Sequence, residues 1–357
     1  MKLSVYNKVI HLISKFRHLR YRLVNRPVDE NTKIKITYLC PDAVRASGGT
    51  KVIYAHTSII NTYCTDLAEA QILHAKNPKF RCHWHFENLK FKDNYIFDNN
   101  HELYIVHEMW AVREAAILAN KGINYGIFVQ NGYLINRKTH FEKAKIAYEN
   151  ARIILCVSQD IYDCLVYLFP HAKDRIKRLH ISVDADLFKP AIVKQNVITY
   201  MPRKLKKHAE LVLFFLAAHL PKNWRIEPID KMGPAEVAKK LGESKIFMSF
   251  SELEGLGLPP IEAALAGNLV IGYTGQGGKE YWHAPLFEEI ANGDIRGFSQ
   301  AVLKAAQRID NGEIDVQQCS DARSALAQQY HPELERQDLV ELTQMLTQDL
   351  QSQMISR

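Results

Sequence analysis

The chain has 357 residues, 47% apolar and 24% charged, an ordinary composition for a packed globular protein with room for two domains. This excludes disordered, collagen-like and low-complexity chains. The longest apolar run, residues 211–220, is half of the roughly 20 residues that a membrane-crossing helix needs. The net charge of +7 sits in one place: residues 1–28 carry Lys2, Lys8, Lys15, Arg17, Arg20, Arg22 and Arg26 and no acid, so the rest of the chain is neutral.

A nucleic-acid-binding protein spreads basic surface over its fold, so a charge confined to one arm argues against a nucleic-acid partner. The arm, residues 1–32, has no uninterrupted apolar stretch of the kind a signal peptide contains. Its apolar residues Leu3, Tyr6, Val9, Ile10, Ile13 and Phe16 recur at three- and four-residue steps. That spacing predicts a basic amphipathic helix able to lie on an anionic membrane surface. The plainer alternative is a helix packed on the fold. The cysteines, Cys40, Cys64, Cys82, Cys156, Cys164 and Cys319, include no CxxC pair, which reads as reduced thiols in a cytosolic protein.

From residue 33 short β-rich runs alternate with helical patterns. Strands are expected at 33–40, 102–106, 126–130, 153–157 and 180–182, with helical spacing over 50–63, 110–121 and 160–168. A second series of strands is expected at 196–201, 224–228, 245–249 and 268–272, after a linker at 188–195. Such alternation predicts an α/β protein: two Rossmann-like, doubly wound domains, at 33–188 and 196–332, facing a cleft beyond the carboxyl ends of their strands. Residues 333–357 read as one or two polar helices.

The stretch that carries chemistry is Ser251-Glu-Leu-Glu-Gly-Leu-Gly-Leu-Pro-Pro-Ile-Glu-Ala263. A strand, a turn with Gly255 and Gly257, and prolines suited to a first helical turn build an anion site from free backbone N–H groups and a helix dipole. Glu254 and Glu262 flank that turn. Carboxylates there would repel a bare phosphate but suit the hydroxyl donors of a sugar and a ribose.

Residues 254–262 resemble the E-x7-E signature of retaining GT-B glycosyltransferases, family 4 in particular. Ser47-Gly-Gly-Thr50 resembles that family's glycine loop, Val183-Asp-Ala-Asp-Leu-Phe-Lys-Pro190 its domain-junction passage, and Tyr200-Met-Pro-Arg-Lys-Leu-Lys-Lys207 its diphosphate-binding strand and loop. The resemblance spans residues 34–323. It implies that Glu254 accepts a hydrogen bond from the donor sugar, that the backbone of Gly255, Leu256, Gly257 and Leu258 caps diphosphate and sugar, and that Glu262 holds the ribose. It implies further that Arg203 neutralises the diphosphate with help from Lys206 or Lys207. The family's R-x4-K-G spacing is not kept, because His208 stands at the lysine position and no glycine follows. Gly48 and Gly49 would let the backbone approach the donor phosphate or the acceptor.

Other constellations carry less. Asp184-x-Asp186 falls within the junction passage and is a common tripeptide, and Cys82 to Glu87 offers soft ligands without a distant second set. No metal or other cofactor is therefore expected. His107 and Glu108, closing an expected strand, are candidates for an acceptor-side role, with a structural histidine as the plain alternative. Gln130-Asn-Gly132 and Gly275-Gln-Gly-Gly278 follow other strands and are candidate cleft loops. The expected function is transfer of a sugar from a nucleotide-diphosphate donor to a hydroxyl acceptor, glycan or lipid-linked, by a cytoplasmic enzyme peripheral on the inner face of the membrane. The alternatives are a non-catalytic nucleotide-sugar-binding protein and a sugar-nucleotide epimerase or hydrolase.

Overall fold

The computed structural model describes residues 22–24, 33–43, 48–82, 84–98, 100–137 and 139–355. Residues 1–21, on which the amphipathic-helix expectation rests, lie outside the described residues, as do 25–32. One part of the arm departs from that expectation: β1 (Arg22–Val24) pairs in parallel with β4 (Ile96–Asp98), and the Arg22 N–H donates to Tyr95 O at 2.9 Å. These three residues are a strand because β4 supplies backbone partners.

Among the described residues two parallel sheets organise the chain. The N-terminal sheet has β2 (Ile34–Cys40), β3 (Ala68–His74), β5 (Glu102–His107), β6 (Tyr125–Val129), β7 (Ile154–Cys156) and β8 (Ile176–Arg178) in the order β3-β2-β5-β6-β7-β8. The C-terminal sheet has β9 (Val197–Tyr200), β10 (Arg225–Pro228), β11 (Ile246–Glu254), β12 (Leu269–Gln276) and β13 (Phe287–Glu289) in the order β10-β9-β11-β12-β13. Strands such as Glu102–His107 and Tyr125–Val129 are buried along their whole length, as a parallel sheet covered on both faces requires. The covering helices include α1 (Gly48–Tyr63), α2 (Ala111–Asn120), α3 (Phe141–Glu149) and α4 (Gln159–Leu168) on the first sheet. On the second are α5 (Lys206–Ala217), α6 (Pro234–Glu243), α7 (Leu258–Leu265) and α8 (Ile295–Asp310), with α9 (Val316–Gln329) beyond them.

Each sheet reverses its strand order once, between β2 and β5 and between β9 and β11. The chain leaving those four strands supplies Pro41 and Gly48, His107 and Glu108, Arg203 and Lys204, and Glu254 to Leu258. Side chains and backbone at such reversal points are exposed to a crevice that no crossover helix covers. The fold therefore puts the chemistry-bearing residues of both halves at one place.

One expected strand is corrected. The last strand of the first sheet is Ile176–Arg178, not residues 180–182. His180 and Ser182 instead give their N–H groups to carboxylates of α10 (Pro332–Ile355): to Asp338 at 2.6 Å and to Glu335 at 3.0 Å. The C-terminal segment is one helix that crosses back to the first sheet, and its stripe of Leu339, Leu342, Leu346 and Leu350 is buried. No helix among the described residues is long and apolar enough to cross a membrane.

Glu335 is the polar anchor of that crossing. It is 2% exposed, and its carboxylate lies 3.3 Å from His56 Nε2 on α1. Burial pushes its pKa up, but His56 and the hydrogen bonds from Ser182 outweigh burial and hold it below the usual carboxylate range. A carboxyl depressed on folding stabilises the native state above its unfolded pKa of about 4.3, and that contribution is lost as pH falls through the lower folded value. Glu335→Ala, which strands a buried partner, is expected to cost about 3 kcal/mol at pH 7. Denaturant titrations should show the gap to wild type narrowing below about pH 4.

Candidate functional site

A cavity of about 640 Å³ lies between the carboxyl ends of the two sheets. On the N-terminal side it is lined by Gly48 to Lys51 at the start of α1, by Trp84, and by His107 and Glu108 after β5. His107 and Glu108 are 6% and 4% exposed, with His107 Nδ1 2.9 Å from Glu108 Oε2. That oxygen also accepts the Gln130 N–H at 3.3 Å, so the backbone after β6 steadies the pair. The Gln130 side chain in turn donates to Gly49 O at 3.1 Å. These bonds place the start of α1, the end of β5 and the end of β6 in one wall. Gly48 and Gly49 form the first turn of α1 rather than a loop before it. That turn contains no acid, so its amides and Lys51 together present positive charge to the cavity.

The opposite wall is residues 254–262. β11 runs on to Glu254, farther than the hydrophobic pattern indicates, and α7 starts at Leu258 after Gly257, whose φ is +82°. Gly255 is required by a close approach: a Cβ there would lie 1.7 Å from the backbone oxygen of Gln130 in the other domain. Asn131 completes the contact by donating from Nδ2 to Leu253 O at 2.8 Å. Pro259 and Pro260 sit in the first turn of α7, where no internal N–H is lost.

Glu254 and Glu262 both face the cavity, and they are in different electrostatic states. Glu254 is ion-paired with Lys204. Glu262 is pushed up to about 7 by burial, against a smaller downward pull from Lys51 across the cleft. Arg203 also lines the cavity and is exposed within it. The basic residues therefore sort differently from the expectation that Lys206 or Lys207 assists Arg203. Both are exposed at the start of α5 and neither lines the cavity; Lys206 pairs with Glu210 at 3.5 Å. His208 turns inward, its Nδ1 3.2 Å from the Tyr273 hydroxyl. Of the lysines after β9, the one that lines the cavity is Lys204, whose neighbour Leu205 takes a left-handed conformation (φ +39°) before α5 begins. Residues 203–204 remain in the loop that leaves β9, and the lysines after Leu205 are carried away on the helix.

Sequence reading did not single out Lys51, Trp84 or Lys204. Lys204 had a signal, since it directly follows Arg203 in the loop beyond a buried strand. The expected cleft loop at residues 275–278 does not line the cavity; it packs behind the turn at residues 254–258. The Asp184 carboxylate is occupied by its own turn, accepting from the N–H groups of Asp186 and Leu187 at 3.0 and 2.9 Å. Among the described residues, no three or more His, Cys, Asp or Glu gather as metal ligands would.

No family model matches the chain. Over 139 residues it is 33% identical to an alpha-1,6-glucosyltransferase of Actinobacillus pleuropneumoniae serotype 7 (strain AP76), a stretch that is 36% of this chain and 42% of that protein. The match thus spans less than half the length of that relative. Among solved structures, HepE from Anabaena in complex with UDP-glucose superposes with a TM-score of 0.61 at 12% identity, over 90% of this chain and 100% of that one. Sucrose-phosphate synthase from Thermosynechococcus elongatus gives a TM-score of 0.64 at 10% identity, over 90% and 100% of the two chains. Identities this low establish the fold alone, and the fold is GT-B, two facing parallel α/β domains.

The raised pKa of Glu262 has a sign that can be checked without any ligand. Folding favours its neutral form, so its contribution to stability is present below about pH 4.3 and is lost as pH rises to about 7. Glu262→Gln removes the ionisation. The variant is expected to be more stable than wild type by about 3 kcal/mol at pH 8, with the gap closing as pH falls to about 4, measured by urea unfolding.

Proposed function

We propose that this protein is a retaining glycosyltransferase of the family-4 type that moves a sugar from a nucleotide-diphosphate donor to a hydroxyl acceptor. One observation carries the reading: a single cavity holds two carboxylates, Glu254 and Glu262, together with Arg203, Lys204 and the glycine turn at residues 255–258 that leads into α7. Cations and amides suit a diphosphate, and carboxylates suit the hydroxyls on either side of it. The partial match to an alpha-1,6-glucosyltransferase and the likeness to a UDP-glucose-bound structure support the same class and favour UDP-glucose as the donor to try first.

In this proposal the donor lies along residues 254–262. Glu262 takes the ribose hydroxyls, and binding draws its proton off because a carboxylate accepts those bonds better than a carboxyl. Arg203 and Lys204 meet the diphosphate, and charge builds on its leaving oxygen as the sugar–oxygen bond breaks. Glu254 releases Lys204 and accepts a sugar hydroxyl. The acceptor hydroxyl enters from the N-terminal side, past His107 held by Glu108, and attacks the face that the diphosphate leaves, its proton passing to the departing phosphate oxygen. Side-chain cations and backbone amides do this work without a metal. Contact between the domains at Gly255 and Gln130 excludes water from the donor.

The three variants should separate. Arg203→Ala and Lys204→Ala are each expected to weaken UDP binding by about tenfold and to lower transfer further, whereas Glu254→Gln lowers turnover by about 10–100-fold with UDP affinity nearly unchanged. Lys206→Ala should behave as wild type, and transfer should persist in excess EDTA. Calorimetry with UDP and transfer assays over a panel of nucleotide sugars check this. Wild-type transfer by both Arg203→Ala and Glu254→Gln, or loss in EDTA restored by Mn²⁺, would overturn it.

We assign the membrane to residues 1–28. Seven basic groups at about 1 kcal/mol each near an anionic leaflet bind appreciably even when half engage, which would bring the enzyme to a lipid-linked or surface-glycan acceptor. Deleting residues 1–21, which leaves β1 paired with β4, is expected to abolish most salt-sensitive co-sedimentation with anionic vesicles and to leave UDP affinity unchanged. Equal sedimentation of both proteins would contradict the assignment.

A further inference from the structure

The turn at residues 254–258 is backed by a segment that also grips the opposite domain. After β12 the chain makes a short turn, Gly277–Glu280, and Gly277 packs so closely on the Gly255 carbonyl that a Cβ there would lie 2.0 Å from its oxygen. The next side chains face two ways. Glu280 Oε1 takes Arg178 Nη2 at 2.7 Å and the Tyr330 hydroxyl at 3.2 Å, while Oε2 takes the Gln159 N–H at 2.9 Å. Arg178 closes β8 and Gln159 opens α4, both in the N-terminal half. The carboxylate thus binds a cation and a helix N-terminus across the domain boundary.

Tyr281 follows directly and is 2% exposed. Its hydroxyl donates to Gly257 O at 2.7 Å and to Leu256 O at 3.2 Å. Burial, with Tyr330, Glu280, Glu254 and Glu262 nearby, raises its pKa far above the ordinary tyrosine value, so it keeps its proton and stays a donor. In a trans peptide the C=O and the following N–H point to opposite sides. Holding the carbonyls of Leu256 and Gly257 on the Tyr281 side therefore turns the N–H groups of Gly257 and Leu258 the other way, to the side on which those residues line the cavity.

We propose that Glu280 and Tyr281 are positioning residues that couple docking of the two domains to the geometry of the turn at residues 254–258. Glu280 reads whether the N-terminal domain is seated, and Tyr281 passes that state to the two amides. The inference rests on the reading of this turn as the donor site, and it adds a cause for the turn's shape. Neither residue lines the cavity, so neither touches substrate.

The test uses the full chain and amide hydrogen exchange over residues 253–258, which needs no substrate. In Tyr281→Phe, which removes only the hydroxyl, exchange there is expected to rise by about fivefold or more. Arg178→Met, a change in the other domain, should raise exchange both at residues 158–160 and at 253–258, with other regions unaltered. If Tyr281→Phe folds poorly, Glu280→Gln, which keeps an acceptor oxygen but not the charge, gives the same reading in smaller measure. In a transfer assay Tyr281→Phe should lower turnover by about tenfold while the donor KM changes by less than about threefold. The proposal is overturned if Arg178→Met loosens residues 158–160 and leaves 253–258 as in wild type, or if Tyr281→Phe leaves both exchange and turnover unchanged. A wild-type protein that binds none of UDP, GDP, ADP and CMP but shows the coupled exchange would overturn the nucleotide-sugar reading and leave the coupling standing.

Discussion

Two backbones meet where the domains face each other, and the rest of the site depends on that contact. Gly255 abuts the carbonyl of Gln130 with no room for a side chain, while Gln130 is bonded to Gly49 and its N–H to Glu108. A single residue therefore ties the start of α1, the end of β5 and the turn after β11 together. Each sheet brings its own strand-order reversal to this point, so the cavity follows from topology, and glycine at position 255 lets the halves come close enough to share it.

The cavity's charge is balanced rather than basic. The lining holds Arg203, Lys204 and Lys51 together with Glu254, Glu262 and Glu108, and the acids are kept in unlike states: Glu254 paired with Lys204, Glu262 raised by burial. Such a site has little attraction for a free anion that cannot also satisfy the acids. A ligand with hydroxyls on either side of a diphosphate meets both demands, which is why the nucleotide-sugar reading fits better than that of a simple phosphate binder. The balance also places the arm's charge outside the catalytic account, since residues 29–357 are neutral overall.

Strands with apolar runs, such as Tyr125–Val129 and the first half of β11, were legible in the sequence, and so was the glycine turn between two glutamates, because both are local patterns. Ala68–His74 was not legible as a strand, since polar residues occupy it. Gln71 is buried there because Thr37 on the adjacent β2 and Glu102 on β5 beyond it accept its hydrogen bonds at 2.8 and 2.9 Å. Residues 180–182 looked like a strand, yet their partners are carboxylates more than 150 residues away on α10. Among the lysines after β9, one backbone angle at Leu205 decides which faces the cavity, and composition cannot show it. Glu280 and Tyr281 carry no motif; their meaning lies in contacts to residues 102 and 121 positions away for Glu280, and 24 and 25 for Tyr281.

The central claim is that one cavity, bounded by Arg203, Lys204, Glu254 and Glu262, holds a nucleotide-diphosphate donor. The most direct measurement is a crystal structure of the full chain grown with UDP. The account predicts the diphosphate against Arg203, Lys204 and the N–H groups of Gly257 and Leu258, the ribose hydroxyls on Glu262, and Glu254 released from Lys204. Density for UDP elsewhere on the protein, or a cavity left empty at saturating UDP with the Lys204–Glu254 pair intact, would contradict it.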